Sequence, residues 1–293
     1  MRITNNQMYE NLLSGINKQL KIKNDGNASI ASGTRFQRPA QAGLDYKTSL
    51  DLRHTQGQIQ GSLEALTIAD SRLSASQTML HDISNVLTRA QTLAVQQASG
   101  QIGAQEHAAA AVEVRHLLDQ AVNSANQQWQ GEALFSGTAV NQQAFKQDAF
   151  GAYQYQGSNQ DRIVSVSSTQ TLTSNVRGDE PAFTNTFSAL SNFQNALLNN
   201  DQAGIATAIS ELTTASNNMI DLTSRVGGQI SAIQSYTQSY EDMKFAIDKR
   251  MNTHEAADVP ALVAAMQQAD IALQASYSQI ANIKSLSLVN FLR

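Results

Sequence analysis

From Leu66 the apolar residues of this chain return at every third or fourth position, through Ala69, Leu73, Ser76, Leu80, Ile83, Leu87, Ala90 and Ala94. That alternation lays one narrow stripe along a helix, the seam of a coiled coil. A second stripe, Ala111, Val114, Leu118, Ala121 and Ala125, follows a break at Gly100 to Gly103, so two helices can fold back on each other. The longest stripe runs through Ile209, Leu212, Ser216, Met219, Thr223, Val226, Ile230, Ile233, Thr237, Tyr240, Lys244 and Ile247. A helix of that length reaches roughly 60 Å at 1.5 Å per residue and cannot bury its stripe alone. It must pack against the earlier helices or against another subunit. Ser216, Thr223 and Thr237 weaken this seam, and Gly227-Gly228 should loosen it.

Only three prolines, Pro39, Pro181 and Pro260, occur in 293 residues, and none interrupts these stretches. Between the helical halves the period changes to two. Ala152-Tyr153-Gln154-Tyr155 and Ile163-Val164-Ser165-Val166-Ser167 alternate, broken at Gly151, Gly157 and Gly178, which predicts a small β-rich insert. Short stripes return at the two ends: Tyr9, Leu13, Ile16 and Leu20, then Leu262, Met266, Ala269, Leu273, Ser276, Ile280 and Ile283. Asp258 near the cap and Pro260 in the first turn give the last helix its start. The expected fold is mainly α, a long-helix coiled-coil bundle built from both chain halves with a small β-rich domain inserted in the middle. Its divisions are terminal coiled-coil helices in 1–45 and 255–293, a helical bundle in 46–136 and 184–254, and an outer insert in 137–183.

Chain ends usually fray and carry no apolar seam. Stripes placed there point to association, with ends that are disordered in the monomer and order only when packed against each other and against neighbouring copies. The candidate assembly interface is Ile3, Tyr9, Leu13, Ile16, Leu20, Leu262, Met266, Leu273, Ile280, Ile283, Leu286, Leu288 and Phe291.

Composition narrows the chemistry. Charged residues make up 15% and the net charge is -4, without a block of Lys or Arg, which removes the clustered cations that nucleic-acid binding needs. With no cysteine, disulfides, thiolate metal sites and Cys nucleophiles are excluded. No span has the apolar length of a membrane crossing, and the start lacks the apolar core and cleavage site of a signal peptide. The five histidines are His54, His81, His107, His116 and His254, none in an HExxH spacing. Glu106-His107 and Glu113-Arg115-His116 read as solvated helix-face residues, and Trp129, Phe135 and Phe36 as fillers of junctions between helices and insert. No catalytic constellation, cofactor fingerprint or metal site emerges.

Five ordered segments carry a resemblance: MRITNNQMYENLLSGINKQL at the start, ASGTRFQRPAQAGL (Ala31 to Leu44), LTRAQTLAVQQASG (Leu87 to Gly100), GEALFSGT (Gly131 to Thr138) and LQASYSQIANIKSLSLVNFLR (Leu273 to Arg293). They resemble bacterial flagellin-family proteins over both ends and most of the helical halves. The tail, the short insert and VRGDEPAF before the second helical half are most similar to the hook-filament junction members of that family. The chain departs from filament flagellins in having Ala40-Gln41 where an acidic pair is common, and Gln91 and Thr92 in place of an Arg and a Glu, so innate-receptor recognition is not implied. The resemblance implies a non-enzymatic structural subunit without cofactors, exported unfolded through the flagellar type III apparatus without a cleaved signal peptide. It implies self-association in an axial ring or tube, contact with another hook-associated junction protein and with flagellin, an export chaperone at the C-terminal segment, and no nucleic acid or membrane insertion. A minor filament flagellin shares the same plan. A cytoplasmic coiled-coil adaptor would keep its ends folded and would not be exported. An exported enzyme would need a pocket in the insert, which offers Asp148, Asp161 and Arg162 but no histidine.

Overall fold

The computed structural model describes residues 2–36, 38, 42–99, 102–149, 151–166 and 170–289; for 2–6 and 284–289 only the backbone is described. The helices are α1 (Arg2–Ser32), α2 (Leu44–Gln97), α3 (Ala104–Ala125), α4 (Pro181–Leu198), α5 (Gln202–Glu255) and α6 (Val259–Val289). Three antiparallel hairpins lie between α3 and α4: β1 (Gln128–Trp129) with β2 (Glu132–Ala133), β3 (Phe145–Gln147) with β4 (Tyr153–Tyr155), and β5 (Ile163–Ser165) with β6 (Thr171–Thr173). The chain divides into two compact units, Met1–Gln58 with Met243–Arg293, and Ile59–Asp242.

The central unit, 59–242, holds the hydrophobic core. Every position of the first predicted stripe, Leu66 to Ala94, is buried, and so is every position of the second, Ala111 to Ala125. On α5 the fully covered seam is Ile205, Ala208, Leu212, Ala215, Met219, Leu222, Val226, Ile230 and Ile233. Ser216 and Thr223 flank this seam half-buried, and Thr223 returns its hydroxyl hydrogen bond to the Met219 carbonyl at 2.7 Å. The seam is therefore more apolar than the spacing alone predicts. The helix also continues unbroken through Gly227-Gly228.

Pro181 stands at the start of α4, where its missing N–H costs no helical hydrogen bond, and the helix buries Phe183, Phe187, Leu190, Phe193 and Leu197 on one face. This face lies partly within the segment expected to be β-rich. It explains why the insert does not form a core of its own. Phe145 on β3 packs against Phe183 and Phe187 at ring distances of 5.4 and 5.0 Å, and Phe135 lies 4.9 Å from Phe183. The hairpins and the helices share one hydrophobic cluster within the compact unit 59–242. Asn126, just past α3, binds both the N–H and the C=O of Phe145 through its amide, at 2.8 and 3.0 Å, imitating a strand neighbour. Gly137 is fixed by its left-handed φ of 65°, and a Cβ there would collide with the Ser158 carbonyl.

In the terminal unit, α1 and α6 pair antiparallel: Lys23 Nζ donates to Asp270 Oδ1 at 2.7 Å, and Gly26 lies against Met266. Asp258 caps α6 as expected, its carboxylate accepting the Ala261 N–H at 3.1 Å.

Candidate functional site

The terminal helices were expected to carry the working surface, and the structure separates their apolar residues into two sets. Ile16 is buried, and Leu12, Gln19, Ile22 and Lys23 are half-buried on the covered side of α1, followed by buried Gly26 and Ser29. On α6 the covered line is Leu262, Met266, Ala269, Leu273, Ser276, Ile280 and Ile283, of which Ala269 and Leu273 are buried and the others half-buried. Tyr9, Leu13 and Leu20 stand beside this line about 40% exposed. On α6, Val263 and Tyr277, two heptads apart, are similarly open, and Ile271 is 69% exposed. The predicted interface thus contains residues that pair α1 with α6 and residues that this pairing leaves open. The side chains of Ile3, Leu286 and Leu288, and Phe291 entirely, lie outside the described residues, as do Ala40 and Gln41.

Where the two terminal helices leave the longer ones, the chain is fastened by a group that the sequence reading did not single out. Glu255, the last residue of α5, is 8% exposed. Its carboxylate receives Arg53 through Nε at 3.1 Å and a terminal guanidinium nitrogen at 2.7 Å, and it also accepts the Ser49 hydroxyl. These donors, the Arg53 guanidinium first, hold the Glu255 carboxyl below its usual range despite burial. The backbone joins in: Arg35 N–H donates to Glu255 O at 2.7 Å and Ala257 N–H to Gly33 O at 3.0 Å, around a bridge between Thr34 and Ala256. Gly33 permits the tight exit from α1 with a φ of 71°. Phe36 is buried and meets the His254 ring edge-on at 6.1 Å, so it fills a junction between helices of the terminal unit and not, as expected, one with the insert.

Several of the ionisable residues singled out in the sequence have structural partners. His107 was expected to be solvated, and the structure corrects this: it is 1% exposed. Nδ1 lies 2.6 Å from Asn200 Oδ1 and Nε2 lies 3.2 Å from Gln97 O, pinning the turn after α2 to the turn before α5. Its three-and-four spacing with Ala110, Ala111, Val114 and Leu118 was the available signal. Glu113 pairs with Arg89 at 2.6 Å, Arg115 lies 3.7 Å from Asp119, and His116 is exposed.

In the hairpin region Arg72 is 2% exposed and clamps β2 to α2, reaching Glu132 at 2.7 Å and the Ala133 carbonyl at 2.8 Å. Arg162 reaches the same Glu132 oxygen at 2.6 Å. Glu132 is held below the usual carboxylate range, Arg162 being the largest cause, while burial lowers the Arg72 guanidinium. Asp161 faces Arg177 at 3.4 Å, and Asp148 accepts the Ala152 N–H at 2.9 Å. Burial pushes the Tyr155 hydroxyl up to about 12, and it donates to Ser158 O at 2.8 Å. The insert's acids therefore fasten turns and strands. Among the described residues no group of three or more His, Asp or Glu is placed to hold a metal ion, and no helix is long and apolar enough to cross a membrane.

Comparison with known proteins fits this arrangement. Residues 3–140 match the bacterial flagellin N-terminal helical region. The flagellar hook-associated protein 3 of Salmonella typhimurium is 22% identical to this chain over 98% of both, and that of Escherichia coli is equally similar. FlgL from Bacillus cereus shares the fold, with a TM-score of 0.61 and 21% identity, over 69% of this chain and 99% of that one. This chain is thus similar from end to end to two flagellar hook-associated proteins and, over residues 3–140, to the bacterial flagellin N-terminal helical region, and it shares its fold with FlgL.

Proposed function

We propose that this chain is a structural subunit of the bacterial flagellum that forms the junction between hook and filament by coupled folding and axial polymerisation. The observation that carries the reading is the row of exposed apolar residues on the terminal helices, Tyr9, Leu13, Leu20, Val263 and Tyr277, left open after α1 and α6 have paired. Apolar side chains held in water at regular helical spacing gain free energy when a second surface covers them, and copies of the same helices are suited to do so. The work of the subunit is mechanical rather than chemical. It travels as an exported, unfolded chain without a cleaved signal, helped by a chaperone at its C-terminal segment. It is then built in by neighbours that supply the surface its ends lack. Those neighbours are further copies of itself, another hook-associated protein and flagellin. In this arrangement α1 and α6 form the inner tube and the hairpins face outward.

Electron microscopy of cells lacking this chain tests the reading. The expected result is intact hooks without filaments, with flagellin released into the medium. Cells that still carry full filaments and swim normally would overturn it, and shortened or altered filaments on complete junctions would mark the chain as a minor flagellin instead.

A further inference from the structure

The terminal helices can pair in more than one register, because a stripe repeating every three or four residues matches itself again after one turn. Along the covered side of α1 the large apolar residues Leu12, Ile16 and Ile22 give way toward the root to small or polar ones, Lys23, Gly26 and Ser29. Such a seam specifies alignment weakly on its own. Yet the structure holds one alignment, with Gly26 against Met266 and Lys23 on Asp270. What singles it out lies at the root of the pair. Glu255 ends α5 four residues before α6 begins, and its backbone carbonyl binds the Arg35 N–H three residues after α1 ends. The Glu255 side chain is locked from the other side by Ser49 and the two-nitrogen grip of Arg53.

We propose that this clasp of Glu255, Arg53 and Ser49, with the Thr34–Ala256 bridge, is a register device for the terminal helices. By fixing their roots side by side it turns pairing into an intramolecular zipping reaction with a defined first contact. Farther from the root Gly26 lies against Met266, where a glycine lets the helices come together, and beyond it stands the Lys23–Asp270 ion pair. A largely buried carboxylate is a poor source of net stability but a good source of specificity, as a polar group at a core position of a coiled coil fixes register. The alignment matters because it sets which open apolar residues of the two helices stand side by side. A shift by one turn keeps the same faces inward but slides Tyr9, Leu13 and Leu20 by about 5 Å along the open residues of α6. That last consequence rests on the assembly reading above; the register itself does not.

The chain has no cysteine, so pairs of cysteines can report alignment in the dilute full-length monomer without background. Gly26→Cys with Met266→Cys reads the observed register, and Gly26→Cys with Leu262→Cys reads a shift of one turn while leaving Lys23 and Asp270 in place. Under mild oxidation the first pair should close about tenfold faster or more. Replacing the ion pair with apolar residues of similar size, Arg53→Met with Glu255→Met, should keep the central unit's thermal midpoint and bring the two rates to within about twofold of each other. Glu255→Ala provides the second variant and should also lose the preference. Unchanged ratios between parent and variants, whether high or near one, would overturn the proposal. The measurement is made on monomers, so it stands or falls independently of whether the chain builds a flagellar junction.

Discussion

The central unit and the terminal helices are written in the same three-and-four apolar alternation, but they convert it into burial very differently. Between Leu66 and Ala94 every stripe position is covered, and the hydrophobic cluster recruits α3, α4, α5 and the hairpins into one core. Among the described side chains of α1, an equally regular helix, burial is reached by Ile16, Gly26 and Ser29, and on α6 by Ala269 and Leu273. A helix in water is marginal without tertiary packing. The difference is therefore in how many neighbours each stripe finds inside its own chain. The central unit buries its stripes within its own chain, while the terminal pair covers one side only in part and leaves an apolar side open.

The comparison breaks most visibly if the terminal helices are cut. Deleting Leu273 to Arg293 should abolish incorporation into the flagellum yet move the central unit's thermal midpoint by less than about 2 °C, since none of the central unit's core residues is removed. Incorporation of the truncated chain, seen by immunogold labelling, would show that the ends are not the joining surface. Single substitutions should separate next. Leu80→Ala empties a fully buried site and should cost about 3 kcal/mol in urea unfolding of the monomer. Leu13→Ala, on the open side, should cost less than about 0.5 kcal/mol there. The same Leu13→Ala protein should polymerise poorly in a sedimentation assay.

Acid sharpens the contrast between the two units. Glu132 and Glu255 are both held below the ordinary value of 4.5 by arginine partners. A carboxyl with a depressed folded value stabilises above its unfolded pKa, and that contribution is lost as the pH falls through the folded value. Urea midpoints of the central unit should therefore drop between pH 5 and the acid limit, and Glu132→Gln should flatten that slope; a slope unchanged by the substitution contradicts the role given to the Arg72–Glu132–Arg162 cluster. The smallest effect belongs to Arg89→Ala. Its pair with Glu113 is half in solvent, so loss of stability should stay under about 0.5 kcal/mol.

The stripes of α2 and α3 were legible residue by residue, because large aliphatic side chains mark them without competitors. On α5 the reading slipped by one position at three places, taking Ile209, Ser216 and Thr223 where Ala208, Ala215 and Leu222 are covered. Both sets alternate by three and four, and only the partner helices decide between neighbouring positions 100° apart. The aromatic face of α4 escaped notice because the surrounding turns and period-two runs drew its first residues into the insert. His107 was misread for its polarity, although its spacing places it on the covered face of α3. At the ends, spacing picked out residues that pair α1 with α6 together with residues left open, but could not divide them, since a wide apolar face carries no mark of which half its own chain will cover. Glu255 gave still less warning: its role depends on Arg53 and Ser49, both about two hundred residues away in sequence.

Hydrogen exchange on the dilute monomer tests the contrast between these regions most directly, because amide protection scales with the free energy of local opening. Backbone amides in 66–94 and 205–233 should exchange slowly, at rates set by global unfolding of the central unit. Those of 7–32 and 259–283 should exchange much faster than the central unit in the monomer, as expected of a pair that zips and reopens, and become strongly protected only after assembly. Slow exchange along both terminal helices of an isolated molecule would contradict the account, since it would mean that the ends need no neighbours to hold their shape.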